Sequence, residues 1–412
     1  MCIVLLGAAL LPGGPCLQVR ADVTVTQNEM GISAYEAGRF EEAIAYFEKA
    51  YEQAPDNDTL RHNLCNALQA QAKSLADTKD LQPSVKYLET AISVDPENVS
   101  PLIQLGSYYL HMNLVRDAIF RLEEAIELKP GELNAHELLG EAYYRDNDIA
   151  SARAQWDYVL EVEPKRPGLR ERYDKAFREQ QVEAEFKQNA SRHFNISYPD
   201  DVNHTQRSQI LYMLERAYDQ LGRKLGGIYP PSPIQVILYS DDQFKEATLL
   251  DAHIGAVFDG KIRAPLTDAA GNWLPEEEVR RRLTHEYVHV IVRHAAGASV
   301  PWWLNEGLAE TLSNEMSAEE QQILSRTYAQ NAAFNLSALE GSQLKKLTPE
   351  ALRLAYIQAH ATVNMLWTKY GHVRMAPFLQ ALSFGESGEG ALKQSYRKSY
   401  AVLEQELAHI YQ

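Results

Sequence analysis

Apolar positions recur with a helical period through the first 166 residues, in segments that close with similar turns. Prolines at positions 96, 130 and 164 are 34 residues apart, and each follows an apolar helical stretch. Small residues and large apolar residues recur at matching places in the segments before these prolines. The pattern predicts four pairs of antiparallel helices within residues 24–166.

The paired segments share a set of positions that can be compared directly. The third unit has Leu105-Gly106, Tyr109, Ala118, Leu122, Ala125 and Pro130, and the fourth has Leu139-Gly140, Tyr143, Ala152, Trp156, Val159 and Pro164. This spacing resembles that of tetratricopeptide repeats, which stack helix pairs into an α-solenoid. The four units are assigned to residues 24–57, 58–98, 99–132 and 133–166, and the second is longer because of extra residues around 74–80.

Two roles remain open for the solenoid. Its concave surface can hold an extended peptide or a partner helix, or the repeats can act as a rigid spacer or oligomerisation platform. Residues 167–190 are strongly charged and are expected to form a helix that caps the solenoid with a polar outer face.

A change of pattern after residue 190 indicates a second domain. Residues 193–198 alternate like a strand, and a helix at about 204–225 and a strand at 234–239 follow. Another extended segment is predicted at 254–265, and the chain beyond Pro275 is mainly helical. Residues 191–412 are therefore expected to form an α+β domain.

The motif His285-Glu286-Tyr287-Val288-His289 falls on a predicted helix between Pro275 and Gly297. His285 and His289 are four residues apart, so both imidazoles project from one helix face and can bind the same ion. Glu286 is placed to act as general base on a metal-activated water. The surrounding residues are apolar, and buried imidazoles need partners for their nitrogens. The alternative is a pair of core histidines with ordinary hydrogen bonds.

A second motif, Trp302-Trp303-Leu304-Asn305-Glu306-Gly307-Leu308-Ala309-Glu310, follows downstream. Together the two motifs resemble the gluzincin metallopeptidases, the clan that includes thermolysin, and especially the peptidase-MA-like domains that bacteria append to tetratricopeptide repeats. The resemblance implies a zinc ion bound by His285, His289 and Glu306. It also implies that Glu310 orients a ligand imidazole, although an acid stabilised by the helix dipole would look the same.

The same resemblance assigns the stabilisation of the oxyanion to Tyr356, with His360 one helical turn later as the competing candidate. Aminopeptidases with a WLNEG motif also carry a Gly-Ala-Met-Glu-Asn strand whose Glu binds the substrate amine. The corresponding residues here are Gly255-Ala256-Val257-Phe258-Asp259, without a Glu, so aminopeptidase activity is not expected. An edge strand at this place could still bind an extended substrate through its backbone.

The net charge and the N-terminal residues indicate which partners and which cellular location to expect. A net charge of −16 and a pI of about 5.3 argue against nucleic acid as a partner, because phosphate binding needs clustered basic residues. Residues 3–11 are apolar but too few to span a bilayer, and with a small-residue site at 19–21 they resemble a secretory signal over residues 1–21. No Lys or Arg precedes this run, so a buried N-terminal element is the alternative. Export to a bacterial periplasm or medium is expected, and a cytoplasmic location otherwise.

The sequence as a whole predicts a zinc-dependent peptidase that cleaves peptide or protein substrates as an endopeptidase, with repeats that recruit substrate or a partner. A repeat-based scaffold with an inactive metallo-domain is the alternative, and a structural zinc site is a third possibility.

Overall fold

The computed structural model describes residues 15–77, 81–250, 256–297, 300–341, 344 and 347–412. The chain divides into two compact units, Met1–Tyr143 with Ala154–Arg166, and Tyr144–Arg153 with Pro167–Gln412. Most of the expected signal segment, residues 1–14, lies outside the described residues. Within the described part of the chain, no helix has both the length and the hydropathy of a membrane span.

Helices arranged in antiparallel pairs form the repeat region. Their bounds are α1 Pro15–Glu36, α2 Phe40–Gln53, α3 Asp58–Asp77, α4 Leu81–Val94, α5 Val99–His111, α6 Val115–Leu128, α7 Leu133–Arg145 and α8 Ile149–Val162. Small residues permit the close crossings: a Cβ atom at Gly140 would lie 2.3 Å from Nε1 of Trp156. The predicted α-solenoid is confirmed.

The second unit contains α9 (Leu169–Glu183), a five-stranded sheet and further helices. The strands are β1 Lys187–Ala190, β2 Phe194–Tyr198, β3 Ile234–Tyr239, β4 Val257–Phe258 and β5 Ile262–Pro265. The later helices are α10 His204–Lys224, α11 Asp241–Thr248, α12 Glu276–Ala296, α13 Trp302–Ser313, α14 Ala318–Ala329, α15 Pro349–Lys369, α16 Met375–Ser383, α17 Gly388–Tyr396 and α18 Tyr400–Tyr411. This is the expected α+β architecture.

The sheet has the order β1-β2-β3-β5-β4, in which β2, β3 and β5 are parallel and the two edge strands are antiparallel to their neighbours. Side chains alternate between its faces. Val236 and Leu238 of β3 join the main core with α10 and α12, whereas Ile237 and Tyr239 pack on the other face against Phe244 of α11. The sheet therefore lies between α12 on one side and α9 with α11 on the other.

Two segments differ from the sequence-based expectation. The charged helix expected over 167–190 ends at Glu183, and residues 187–190 form strand β1 instead. Within this helix Glu179 is completely buried. The extended segment expected at 254–265 divides into β4 and β5, which form a hairpin; positions 254 and 255 lie outside the described residues.

Helix α13 packs against both α12 and α15 in the second unit. Pro275 precedes α12 and Pro301 precedes α13, and both prolines have a φ of −54°, which suits the start of a helix. A Cβ atom at Gly307 would lie 2.3 Å from the carbonyl oxygen of Ala359. The absence of a side chain at Gly307 thus lets α13 cross α15 closely, next to Glu306.

Candidate metal centre

Three helices supply the side chains that the sequence singled out. Helix α12 supplies His285, Glu286 and His289, α13 supplies Glu306 and Glu310, and α15 supplies Tyr356 and His360. The negative charges of the glutamates affect the pKa values of both Tyr356 and His360, so these seven side chains interact electrostatically.

The donor atoms of the central residues converge. Oε2 of Glu306 lies 3.5 Å from Nε2 of His285 and 3.5 Å from Nε2 of His289. Donor atoms of His285, Glu286 and His289 all lie within 4.8 Å of one another. Two ligands about 2.1 Å from a tetrahedral zinc ion are about 3.4 Å apart, so the two imidazoles and the Glu306 carboxylate suit such an ion.

The second nitrogen of each imidazole also faces a polar side chain. Nδ1 of His289 lies 3.0 Å from Oδ1 of Asn305, whose Nδ2 donates to Oε1 of Glu306 at 3.2 Å. When Nδ1 of His289 donates to Asn305, its Nε2 carries the lone pair that a metal needs. Nδ1 of His285 lies 3.4 Å from Oε1 of Glu310, within ion-pair distance, but it makes no hydrogen bond among the described residues.

Asn305 is the residue of this site to which sequence reasoning assigned no role. It directly precedes Glu306 in the second motif, so its position was visible, but its contact with His289 depends on how α13 packs against α12. No local pattern reports such a packing.

Burial and charge act against each other on the ionisable groups. Burial disfavours the charged form of His285, but the carboxylates around it outweigh this effect and raise its pKa. Burial lowers the pKa of His289, and nearby Glu306 only partly opposes this. Glu306 is buried as well, yet its hydrogen bond to His285 and the two imidazoles lower its pKa. This carboxylate is therefore held in its ionised, ligand-competent form.

Glu286 differs from Glu306 in its protonation. Burial, followed by the neighbouring carboxylates, raises the pKa of Glu286 to about 8. A carboxyl group with a pKa near neutrality can both accept and donate a proton, and a cation bound beside it would lower that pKa. Glu286 is thus suited to proton transfer.

Tyr356 and His360 differ in their access to solvent. Tyr356 is partly exposed and its ring packs edge-to-face on Trp302, with ring centroids 4.8 Å apart. Burial raises the pKa of Tyr356, and Glu306 adds to this effect, so its hydroxyl remains a proton donor. His360 is 2% exposed, its pKa is lowered by burial, and its Nδ1 has no hydrogen-bond partner in the described part of the chain.

Strand β4 packs against α12 at one edge of the sheet. It pairs with β5 on one side, and among the described residues no strand pairs with its other side. An extended peptide could therefore be added there by backbone pairing, as expected for this segment.

Two regions of the chain match known protein families. Residues 220–411 match the Peptidase MA superfamily. Residues 22–97 and 103–168 each match the tetratricopeptide repeat. Both matches agree with the resemblance inferred from the two motifs and from the 34-residue period.

Several solved structures of repeat proteins are similar to part of this chain. MamA from Desulfovibrio magneticus is 21% identical over 35% of this chain and 78% of its own, with a TM-score of 0.27. A thermophilic tetratricopeptide protein of Thermus thermophilus is 21% identical over 37% of this chain and 98% of its own, with a TM-score of 0.23. YrrB, a tetratricopeptide protein with an unusual peptide-binding site, is 14% identical over 39% and 96%, with a TM-score of 0.27.

Proposed function

Because this chain joins tetratricopeptide repeats to a Peptidase MA superfamily domain, we propose that it is a zinc-dependent endopeptidase. The observation that carries the proposal is the convergence of His285, His289 and Glu306, with Oε2 of Glu306 3.5 Å from both Nε2 atoms. Two imidazoles and one carboxylate leave a coordination position open, as in hydrolytic zinc sites. The repeats would recruit the substrate or a protein partner.

The residues of the site have distinct roles in the proposed reaction. His285, His289 and Glu306 would hold zinc, which when bound supplies Lewis-acid activation of water and of the scissile carbonyl. Glu286 accepts the proton of the attacking water and passes it to the leaving amine. Asn305 and Glu310 keep the two imidazoles in the orientation that binding requires.

A hydrogen-bond donor is also needed for the oxyanion that forms at the scissile carbonyl. Tyr356 and His360 are the two candidates on α15. The partial exposure of Tyr356 favours it, because part of its side chain is accessible to a substrate, whereas His360 is 2% exposed.

The test pairs zinc content with cleavage of an unbiased peptide pool in the same variants. Purified protein should contain close to one zinc per chain, and His285→Ala and Glu306→Ala should lose most of it, because each removes a ligand. Glu286→Gln should keep zinc and fold but lose about 10²–10⁴-fold in turnover, since Gln cannot accept the water's proton.

Glu276→Gln is the matched control, because Glu276 is an exposed acid in the first turn of the same helix. It should change neither zinc content nor turnover. A Glu286→Gln protein that holds zinc and remains fully active would favour the scaffold role over peptide hydrolysis. Full zinc retention in both ligand variants would refute the ligand assignment.

A further inference from the structure

Arg293 lies on the side of α12 that carries the chemistry. An α-helix turns about 100° per residue around its axis. Measured around this axis from His285, His289 lies at about 40°, Arg293 at about 80° and Glu286 at about 100°. Arg293 therefore projects between His289 and Glu286, about 6 Å along the axis beyond His289. A molecule bound at the two histidines would extend over this position if it followed the helix towards its C-terminal end.

No carboxylate partner is found for Arg293 among the residues that the structure describes. The other arginines of the helix behave differently: Arg280 pairs with Glu277, and Arg281 and Arg282 pair with Glu278. The chain has 56 Asp and Glu against 40 Lys and Arg, so carboxylates are in excess. Arg293 is exposed to solvent, so its guanidinium is accessible to an incoming group.

A second positive side chain lies near Arg293 and affects its ionisation. Burial of part of its side chain lowers the pKa of Arg293, and the positive charge of Arg145, in the same compact unit, lowers it further. Hydrogen bonds to glutamates have the opposite effect on Arg280 and Arg281, whose pKa values are raised. An incoming anion would offset the repulsion between the positive charges of Arg145 and Arg293.

We propose that Arg293 is a specificity-determining residue that binds a carboxylate of the peptide substrate beside the metal centre. The inference rests on the proposed peptidase function and specifies its substrate class. A guanidinium binds a carboxylate through two parallel hydrogen bonds, which gives direction as well as charge complementarity. An extended peptide advances about 3.3 Å per residue, so the carboxylate belongs about two or three residues from the scissile bond.

Two chemical sources supply such a carboxylate: the C-terminus of the substrate and the side chain of an Asp or Glu. The probes are therefore N-acetylated octapeptides with one readily cleaved bond, made with a free or an amidated C-terminus. Each is also made with Asp or Asn at one position, placed in turn within three residues of that bond. Wild-type protein, Arg293→Gln, Arg293→Lys and the control Arg280→Gln are compared at equal zinc content.

For peptides that carry the recognised carboxylate, Arg293→Gln should raise KM at least about tenfold with little change in kcat, because an ion-paired hydrogen bond is lost. Arg293→Lys should recover part of the loss, and Arg280→Gln should match wild type. Neutral peptides should be unaffected by any of the three substitutions. Sensitivity to amidation identifies the C-terminus as the source, and sensitivity to Asp→Asn identifies the side chain.

Equal changes for charged and neutral peptides, or none, would overturn the assignment of Arg293. If wild-type protein cleaves no peptide, the proposed hydrolysis itself fails, and equilibrium binding of the same peptides then tests the subsite separately. In that case, weaker binding of carboxylate-bearing peptides by Arg293→Gln alone supports the subsite, and equal binding by wild type and variant refutes it.

Discussion

Asn305 makes two contacts that together determine how His289 faces Glu306. Its Oδ1 lies 3.0 Å from Nδ1 of His289, and its Nδ2 donates to Oε1 of Glu306 at 3.2 Å. The amide thus directs Nε2 of one proposed ligand and Oε2 of another towards the same point. Side chains in this position contribute to metal affinity without touching the metal.

Substituting Asn305→Ala should weaken zinc binding about 10–100-fold, because both proposed ligands lose the group that orients them. Competition with a chromogenic chelator measures the affinity, and circular dichroism checks that the fold is retained. Asn305→Asp, which keeps an acceptor for Nδ1 of His289, should lose less. Unchanged affinity in Asn305→Ala would show that packing alone orients the imidazole.

The residues that could be predicted from the sequence are those whose relation is local. His285, Glu286 and His289 share one helix, so helical geometry fixes their relative directions. Glu306, which lies on another helix, required the family resemblance. Partners more distant in sequence were not predicted. The ion pair between Arg263 and Glu183 joins residues 80 positions apart, and no sequence pattern near either residue predicts this contact.

At the scale of helices, the close approach of α13 and α15 brings Glu306 near Tyr356. Gly307 follows Glu306 directly, and its would-be Cβ lies 2.3 Å from the oxygen of Ala359 and 2.6 Å from Cγ2 of Val363. Backbone atoms of α15 cannot yield as a flexible side chain could, so any side chain at Gly307 must push the two helices apart.

Gly307→Ala should therefore destabilise the second unit by about 1–3 kcal/mol through overpacking, although alanine's better helix propensity offsets up to about 1 kcal/mol. Calorimetry should show a lower Tm, by about 2–4 °C for each kcal/mol lost in a unit of this size. Zinc affinity should fall too, because Glu306 moves with α13.

Gly131→Ala is the control for this substitution, since no atom lies within 4 Å of a Cβ built at Gly131. It should stay within about 0.5 kcal/mol of wild type. If the Gly307→Ala protein had wild-type Tm and zinc affinity, α13 and α15 could move apart without loss of stability.

At the scale of the whole molecule, a buried ionic cluster connects α9 to the sheet of the second unit. Arg263 of β5 is completely buried; its Nη2 lies 2.9 Å from Oε2 of Glu179, and its Nη1 lies 3.1 Å from Oε1 of Glu183. Its Nε also lies 3.3 Å from Oδ1 of Asp259. Burial opposes ionisation of Asp259, but Arg263 and Lys175 outweigh this and lower its pKa to about 2.

The members of this cluster come from separate parts of the chain. Lys175, Glu179 and Glu183 belong to α9, whereas Asp259, Lys261 and Arg263 belong to the β4–β5 hairpin. Lys261 Nζ donates to Oδ1 of Asn147 at 2.8 Å. Three positive and three negative side chains thus balance one another, and removing α9 would leave the hairpin with two buried cations and one carboxylate.

The composition change near residue 190 suggests that residues 191–412 form an independent domain. The ionic cluster around Arg263 indicates instead that the domain starts before α9. Breaking a buried ion pair by removing one partner costs about 3–5 kcal/mol, because the remaining charge stays buried without compensation.

Fragment 167–412 keeps α9 and should unfold at a higher urea concentration than fragment 191–412. Fragment 144–412, which also keeps Asn147, should be at least as stable as 167–412. In 167–412, Glu179→Gln should remove much of the advantage, whereas Glu171→Gln, at an exposed position of the same helix, should not. Urea unfolding followed by circular dichroism ranks the fragments. If 191–412 proves as stable as 167–412, Arg263 must find other partners or water, and α9 would be an accessory to the unit instead of part of its core.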